Sequence, residues 1–268
     1  MRFLFFGDIM GRSGREALIR YLPELRNRHT PDFIIANAEN AAAGYGLTKK
    51  LADELFAAGI DALTTGNHVW DQKELLANIA SLPNVLRPCN FPEGTPGNGH
   101  VLLTSKAGKK MLVINVMGRL FMEALDDPFQ SCEKAIAATP LGKEADAILI
   151  DAHGEASSEK QALGVHFDGR VTAVIGTHTH VPTADARLLP GGTAFQTDTG
   201  MCGDYDSVIG MKKDMATLRQ IRRYSFERLA PAEGEGTVCG ALVEVSDSTG
   251  LATKITPIAV GGILGARG

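Results

Sequence analysis

Short apolar runs alternate with amphipathic segments in the first third of the chain. Three runs have the length and composition of buried strands: Arg2–Ile9, Asp32–Ala38 and Asp61–Thr65. Helical spacing of apolar residues predicts helices after each run: Gly14–His29, a segment capped by Thr48 that ends near Ala58, and Asp71–Ala80. This alternating order predicts a mostly parallel sheet with helices packed against it.

The rest of the chain predicts a second group of strands. His100–Ser105 and Lys110–Val116 flank a Lys-Ala-Gly-Lys turn, as in a hairpin. Further strands are predicted at Ala145–Ile150, Val171–Ile175, Arg187–Leu189, Thr193–Thr197, Val238–Ser246 and Lys254–Ala259, and further helices at Asp127–Thr139, Ser157–Gly164 and Asp214–Arg222. Since no repeat or linker interrupts the pattern, we expect one α/β domain over residues 1–268 with two facing mixed β-sheets flanked by helices.

Composition and charge narrow the class of protein. The 268 residues are 44% apolar and 22% charged, as in ordinary globular proteins. A net charge of −4 argues against long nucleic acid as a partner, whereas a small phosphate ester remains compatible because metals supply local positive charge. The widely spaced cysteines form no CxxC pair, and no apolar run is long enough to span a bilayer. We therefore expect a cytoplasmic protein that does not associate with membranes.

Polar residues that can bind metals follow five of the predicted strands. They are Asp8, then Glu39 and Asn40, then Asn67 and His68, then His153, and finally His178 and His180. Ligands bind at the carboxyl ends of strands in open α/β sheets. Each residue alone fits a turn, a cap or an ordinary hydrogen bond, but five such strand ends in one chain predict a metal site.

The histidine pair His178 and His180 is separated by one residue. If the preceding strand continued through it, both imidazoles would point to the same side. Three other histidines, His29, His100 and His166, are expected to be structural or exposed. Asp151 and Glu155 flank His153, and we expect solvated loop residues there rather than support for a metal ligand.

The candidate donors are carboxylates, amides and imidazoles, without a thiolate. Such a set is typical of a catalytic oxygen/nitrogen site and not of structural zinc. It is too large for one tetrahedral ion, but it would serve two ions if Glu39 bridged them. Two ions ~3.5–4 Å apart commonly promote in-line displacement at phosphorus, in which a hydroxide between the ions attacks the phosphate.

The order of these motifs resembles that of the calcineurin-like metallophosphoesterases, and more closely their bacterial YmdB-like branch. The stretches that carry the resemblance are GDIMGRSGR, ANAENAAAGYGLT, TTGNHVWD, DAHGEASSEKQALG, GTHTHVPTAD and TDTGMCGDYDSVIGM, which span Gly7–Met211. The resemblance implies a four-layer αββα sandwich and a di-metal hydrolase, often containing iron, that acts on 2′,3′-cyclic nucleotides. Manganese and zinc also suit such a donor set.

Two positions depart from the wider superfamily. Met10 stands where the superfamily has a histidine, and Glu39 stands where it has a bridging aspartate. The YmdB-like branch shares both departures, so they support the narrower assignment. They also suggest that Asn40, which follows Glu39, replaces the missing histidine through its amide oxygen.

The resemblance also implies a division of roles. One ion would be held by Asp8, Glu39, Asn40 and His180, and the other by Glu39, Asn67, His153 and His178. His68 matches the superfamily's histidine beside the site, so we expect it to be the general acid that protonates the leaving ribose oxygen. The alternative for His68 is support of the neighbouring ligands.

Several alternatives stay open on sequence alone. Gly11–Arg15 enters the first helix and would either contact phosphate or be solvated. Gly200–Gly210 would form a lid or wall over the substrate, or a plain connection. The same metals would also serve a phosphomonoesterase or a nuclease, and a metal-dependent binding or regulatory protein is a further alternative. The chain could also form a homo-oligomer.

Overall fold

The structure, a computed structural model, describes residues 1–222 and 228–264. The described strands are β1 (Arg2–Phe6), β2 (Asp8–Ile9), β3 (Phe33–Asn37), β4 (Ala62–Thr64), β5 (Val85–Leu86), β6 (His100–Thr104), β7 (Lys110–Met117), β8 (Ala147–His153), β9 (Ala173–Thr177), β10 (Arg187–Leu188), β11 (Ala194–Gln196), β12 (Met201–Asp204), β13 (Gly236–Val245) and β14 (Ala252–Val260). The described helices are α1 (Gly11–His29), α2 (Lys49–Ala57), α3 (Lys73–Asn78), α4 (Pro128–Ala138), α5 (Ser157–His166) and α6 (Lys213–Arg222).

These strands form two mixed sheets. The first has the order β2-β12-β13-β1-β3-β4-β5, with β14 paired to β13, and the second has the order β10-β11-β9-β8-β7-β6. The β1, β3, β4 and β5 neighbours are parallel, as are β7, β8, β9 and β11. The predicted hairpin is confirmed, since β6 pairs antiparallel with β7.

The apolar side chains of β1 show how the layers form. Phe3 and Phe5 belong to a core shared by strands of both sheets, whereas Leu4 and Phe6 pack against residues of α1 and α2. This alternation is the period-two pattern of a strand that is buried on both faces. A third core joins β7 and β8 to α4 and α5 on the other side. The result is an αββα sandwich of two sheets between helices, as predicted.

Several predicted boundaries were wrong. Arg2–Ile9 is not one strand: it breaks at Gly7, where a side chain would overlap the carbonyl oxygen of Gly200. Helix α1 begins at Gly11 instead of Gly14, and the helix predicted over Asp71–Ala80 is shorter, with a 3₁₀ turn at Ile79–Ser81. Thr48 caps α2 as predicted, because its hydroxyl accepts a hydrogen bond from Leu51 N.

Two strands were missed. β5 is only two residues long, and β12 lies in the glycine-rich stretch for which a lid, a wall or a connection was considered. All four residues of β12 are buried between β2 and β13, so this part of the stretch is not a lid. None of the described helices has the length and apolar character needed to cross a membrane.

Candidate metal centre

The predicted metal-binding residues lie together at the carboxyl ends of strands from both sheets. Asp8 begins β2 after the break that ends β1, Glu39 and Asn40 follow β3, Asn67 and His68 follow β4, His153 ends β8, and His178 and His180 follow β9. Since neighbouring parallel strands end at the same edge, residues far apart in sequence become neighbours here.

The carboxylate and imidazole groups form two clusters that share one residue. The donor atoms of Glu39, His153 and His178 lie within 4.8 Å of one another, and so do those of Asp8, Glu39 and His180. His153 Nε2 is 3.2 Å from Glu39 Oε1, and His178 Nδ1 is 3.1 Å from His153 Nε2. Glu39 is thus placed where a bridging carboxylate would lie.

An asparagine stands beside each cluster. Asn67 Oδ1 is 3.1 Å from His153 Nε2, next to the first cluster. Asn40 Nδ2 is 3.2 Å from His180 Nε2, next to the second. The structure therefore brings together all seven residues that the sequence proposed as ligands.

Three observations show that these residues fit bound cations. Asp8 Oδ1 and Asn40 Oδ1 are buried and have no hydrogen-bond partner among the described residues, although such an oxygen costs about 1–3 kcal/mol when left unsatisfied. Gly66 leaves room for the centre, because a Cβ there would overlap His153 Nε2 and Glu39 Oε2. Imidazole, carboxylate and amide donors suit iron, manganese or zinc.

The proton affinities of the clustered groups reflect burial and mutual charge. Burial raises the pKa of Asp8. Burial also opposes the charge on Glu39, but His153 outweighs it and lowers the Glu39 pKa to about 2. Burial likewise lowers the pKa of His153, yet the nearby carboxylates, Glu39 first, raise it to about 9. Burial, followed by the charge of His153, lowers the pKa of His178 to about 3. The buried carboxylates thus depend on nearby positive charge.

His178 and His180 each point one ring nitrogen into the clusters, and the other ring nitrogen contacts a group outside them. His180 Nδ1 is 2.8 Å from the carbonyl oxygen of Ile209, which leaves Nε2 on the side of Asp8. His178 Nε2 is 3.3 Å from Glu155 Oε2, which leaves Nδ1 facing His153. Such partners fix the tautomer and the orientation of a ligating imidazole.

Asp151 was wrongly expected to be a solvated loop residue. It lies in β8 and is fully buried. Its Oδ1 accepts a hydrogen bond from Thr177 Oγ1 at 2.7 Å, and Thr177 Oγ1 is 2.9 Å from His153 Nδ1. Asn37 Nδ2 donates to Asp151 Oδ2 at 3.0 Å. Burial raises the pKa of Asp151 to about 6. This chain of polar groups orients His153, and sequence periodicity alone did not indicate it.

The His-Thr-His turn does not continue the strand. β9 ends at Thr177, and His178 and His180 take positive φ angles of 99° and 65°. A non-glycine residue in this region is strained, typically by about 1–3 kcal/mol. The turn sends the two imidazoles into different clusters, so the expectation that both point to one side of a strand was wrong.

A buried ion pair, Lys160 with Asp198, supports the backbone of this turn. Lys160 Nζ donates to the carbonyl oxygen of Thr177 at 2.9 Å and to Asp198 Oδ2 at 3.0 Å. Asp198 Oδ2 also accepts from the backbone N–H of Thr179 at 3.0 Å. The ion pair therefore hydrogen-bonds to the backbone on both sides of His178. Sequence reasoning missed both residues, because a lysine on a helix is ordinarily solvated.

His68 lies beside the clusters without belonging to either. Its Nδ1 is 2.8 Å from Asp71 Oδ2, so Nε2 is the nitrogen that can face a substrate. Its backbone N–H donates to Glu39 Oε2 at 3.3 Å, and its side chain is partly exposed. His68 lines cavities of about 350 Å³ and 550 Å³. It is thus accessible in a way that the buried donors are not.

The start of α1 supports the centre differently from the suggested phosphate contact. The backbone N–H of Gly11 donates to the carbonyl oxygen of Asn40 at 2.9 Å. Arg15 donates to the carbonyl oxygen of Ala41. Arg12 pairs with Glu16 at 2.7 Å on the surface. The Gly11 and Arg15 contacts hold the loop after β3 in place, and no arginine of this segment is among the residues that line the cavities beside His68.

The fold and the paired donor clusters together define a protein of the metallophosphoesterase class. The family model described as YmdB-like protein matches residues 4–258. The chain therefore belongs to the YmdB-like family, which confirms the resemblance seen in its motifs.

Similar proteins agree with this assignment along almost the whole chain. The 2′,3′-cyclic-nucleotide 2′-phosphodiesterase of Bacillus subtilis (strain 168) is 46% identical over 260 residues, covering 97% of both chains. A hypothetical protein from Thermus thermophilus has a TM-score of 0.90 at 41% identity, covering 98% of this chain and 100% of its own. A novel phosphatase of Mycoplasma pneumoniae has a TM-score of 0.89 at 32% identity, covering 97% and 93%. The structural matches confirm the predicted fold class.

Proposed function

We propose that the protein is a di-metal phosphodiesterase that hydrolyses 2′,3′-cyclic nucleotides. The observation that carries the proposal is the sharing of buried Glu39 by two donor clusters, with the accessible His68 beside them. A carboxylate shared by two ions would hold them close enough together to stabilise both the attacking and the leaving oxygen in the cleavage of a phosphate ester. Relatives named as a phosphodiesterase and a phosphatase support the enzyme class, and the Bacillus subtilis relative supports the substrate.

The proposed ligands are those of the two clusters with their asparagines. Asp8, Glu39, Asn40 and His180 would hold one ion, and Glu39, Asn67, His153 and His178 the other. Iron is our first candidate, with manganese and zinc as alternatives. When bound, the ions would neutralise the phosphate oxygens and lower the pKa of the attacking water.

His68 would act as the general acid. Attack by water forms a new bond to phosphorus and breaks the bond to one ribose oxygen, which needs a proton as it leaves. Asp71 holds Nδ1 of the imidazole, so the proton would come from Nε2. The hydrogen bond from the His68 backbone to Glu39 does not depend on the imidazole, so removing the ring tests the acid separately.

The alternative activities are less well supported. A nuclease would need cationic groups along the path of its substrate, whereas acidic Asp71 and Glu123 line the larger cavity. A purely regulatory binding protein would not need an accessible histidine beside the metal residues. We also propose a cytoplasmic location, because no disulfide joins the four cysteines, all of which lie within the described residues.

The test compares wild type with His68→Ala in metal-loaded enzyme. With a 2′,3′-cyclic nucleotide, turnover should fall by about 10²- to 10⁴-fold while metal content is unchanged. With a p-nitrophenyl ester, whose leaving group needs no proton, the loss should be much smaller. His166→Ala is the matched control, because His166 is an exposed histidine that pairs with Glu133.

Two results would contradict the assignment. Equal loss with both substrates would mean that His68 positions the phosphate instead of protonating the leaving oxygen. Loss of metal together with the imidazole would make His68 a ligand. If wild type cleaved monoesters and left the cyclic nucleotides intact, the phosphomonoesterase alternative would replace the proposed activity.

A further inference from the structure

Two cavities meet at His68 and His178. The smaller, of about 350 Å³, also contains Glu39 and His180, so it covers the metal centre itself. The larger, of about 550 Å³, continues from His68 and His178 to a loop that carries Phe121. Cavities of this size accommodate small organic ligands, so the larger one has room for the part of a substrate that does not react.

Phe121 is unusual in both exposure and conformation. Its side chain is 89% exposed, more than any other large apolar side chain described. Its φ angle is 63°, in the left-handed region that bulky residues avoid. Strained residues of this kind persist where the surrounding structure holds them and are frequent at ligand sites.

The loop before Phe121 is anchored. The Glu159 carboxylate accepts hydrogen bonds from the backbone N–H of Arg119 at 2.9 Å and 3.0 Å and from that of Leu120 at 3.2 Å. Glu159 lies in α5, so the support comes from a regular element. The backbone that leads to Phe121 is thus held in place, and the Phe121 side chain lines the cavity.

Tyr45, an aromatic residue that lines the smaller cavity, is already engaged. The guanidinium carbon of Arg228 lies 5.2 Å from the centre of its ring, and His68 packs edge-on against it at 5.3 Å. Within residues 1–222 and 228–264, none of the ring stacking or cation–π contacts involves Phe121. Phe121 therefore has open faces on which a flat group can stack.

The charge of the residues that line the larger cavity indicates what kind of group can stack on Phe121. Asp71 and Glu123 line it, and its described lining contains neither lysine nor arginine. This environment disfavours a second phosphate or an extended nucleic-acid strand. A neutral, flat, aromatic group attached to the reacting phosphate ester is compatible with both the charge and the ring.

We propose that Phe121 forms a nucleobase-binding subsite, on which the base of the substrate stacks while its cyclic phosphate lies at the metal centre. This inference rests on the proposed function, since only a nucleotide substrate brings a base to this place. Stacking on an aromatic side chain tolerates any base. We therefore expect the subsite to distinguish nucleotides from base-free phosphodiesters and not one base from another.

The experiment compares adenosine 2′,3′-cyclic phosphate with ribose 2′,3′-cyclic phosphate, which has no base, on metal-loaded enzyme. Phe121→Ala should raise KM for the nucleotide by about 5- to 150-fold with little change in kcat. KM for the base-free substrate should not change. Phe121→Trp should restore the wild-type KM, and Leu120→Ala is the control, because Leu120 is exposed in the same loop but does not line the cavity.

Two results would overturn the subsite: an unchanged nucleotide KM in Phe121→Ala, and an equal rise in KM for both substrates. A change of oligomeric state together with the unchanged KM would assign Phe121 to a contact between copies. If wild type hydrolysed neither substrate, the proposed function would fail instead. Calorimetric binding of adenosine 3′-monophosphate and ribose phosphate to wild type and Phe121→Ala would then still test the stacking.

Discussion

Replacing Lys160 by methionine tests whether the buried ion pair positions the His-Thr-His turn. Methionine keeps the length of the side chain and removes its three N–H donors. The substitution leaves the Asp198 carboxylate fully buried without its cation. Removing one partner of a buried pair costs about 3–5 kcal/mol. Asp198 keeps backbone donors at Thr179 and Gly200, at 3.0 Å and 2.8 Å, so we expect the lower end of that range.

A loss of about 3 kcal/mol should lower the unfolding temperature by roughly 6–12 °C in a protein of this size. Thermal unfolding followed by circular dichroism measures it. Stability alone would not distinguish positioning from simple packing. The informative measurement is metal affinity, determined by chelator competition at a temperature where wild type and variant are both folded.

The expected result is a fall in metal affinity of about 10- to 100-fold, the usual effect of losing a group that orients ligands. Asp198→Asn should lower metal affinity in the same direction, because it also loosens the backbone on both sides of His178. Leu163→Ala is the matched control, because Leu163 lies in the same helix and is buried in the third core, between α5 and the strands β7 and β8. That control should lose about 2–5 kcal/mol of stability and keep its metals.

Wild-type metal affinity in Lys160→Met would refute a positioning role for the ion pair. An equal loss of metal affinity in Leu163→Ala at equal destabilisation would refute it as well. In either case the ion pair would be a packing element without a specific effect on the centre.

Three other substitutions test separate parts of the structure. Glu39→Gln should reduce the content of both metals when measured by elemental analysis, and two metals per chain with full activity would show that another group bridges. Gly66→Ala should reduce metal affinity by at least about 10-fold, because the new methyl group would overlap His153 and Glu39; unchanged metal binding would contradict the close packing. Glu133→Gln should lose up to about 1 kcal/mol at neutral pH, since its surface pair with Arg170 is screened by solvent. The Arg170 contact lowers the Glu133 pKa to about 2, so this contribution to stability is present above pH ~4.5 and declines towards pH ~2. The difference in unfolding free energy between wild type and Glu133→Gln, measured by urea unfolding, should therefore narrow over that pH range. A difference that stays constant would contradict the assignment.

The parts of the centre that could be predicted are those carried by local pattern. Apolar runs mark buried strands, and a polar residue directly after such a run marks a strand end. Glu39, His153 and the histidines after β9 were found in this way. Parallel pairing then brings the ends together without any further information from the sequence.

The parts that could not be predicted depend on contacts between distant segments. β12 is only four residues long, too short to show a period, and its burial comes from β2 and β13 on either side. The polarity of Lys160 gives no sign that α5 turns it inward towards Asp198. The turn at His178 requires a positive φ angle, which few non-glycine residues adopt and which the apolar run before it does not indicate.

The donor clusters take their side chains from both sheets. Asp8 and Glu39 come from the first sheet, and His153 and His178 come from the second. Ions bound there would link the two sheets through their ligands. Because the unfolded chain lacks the site, the free energy of metal binding would add to the free energy of unfolding. Without bound metal, the protein should therefore unfold more readily and be degraded faster by proteases. Its lifetime, as well as its activity, would then depend on the metal supply.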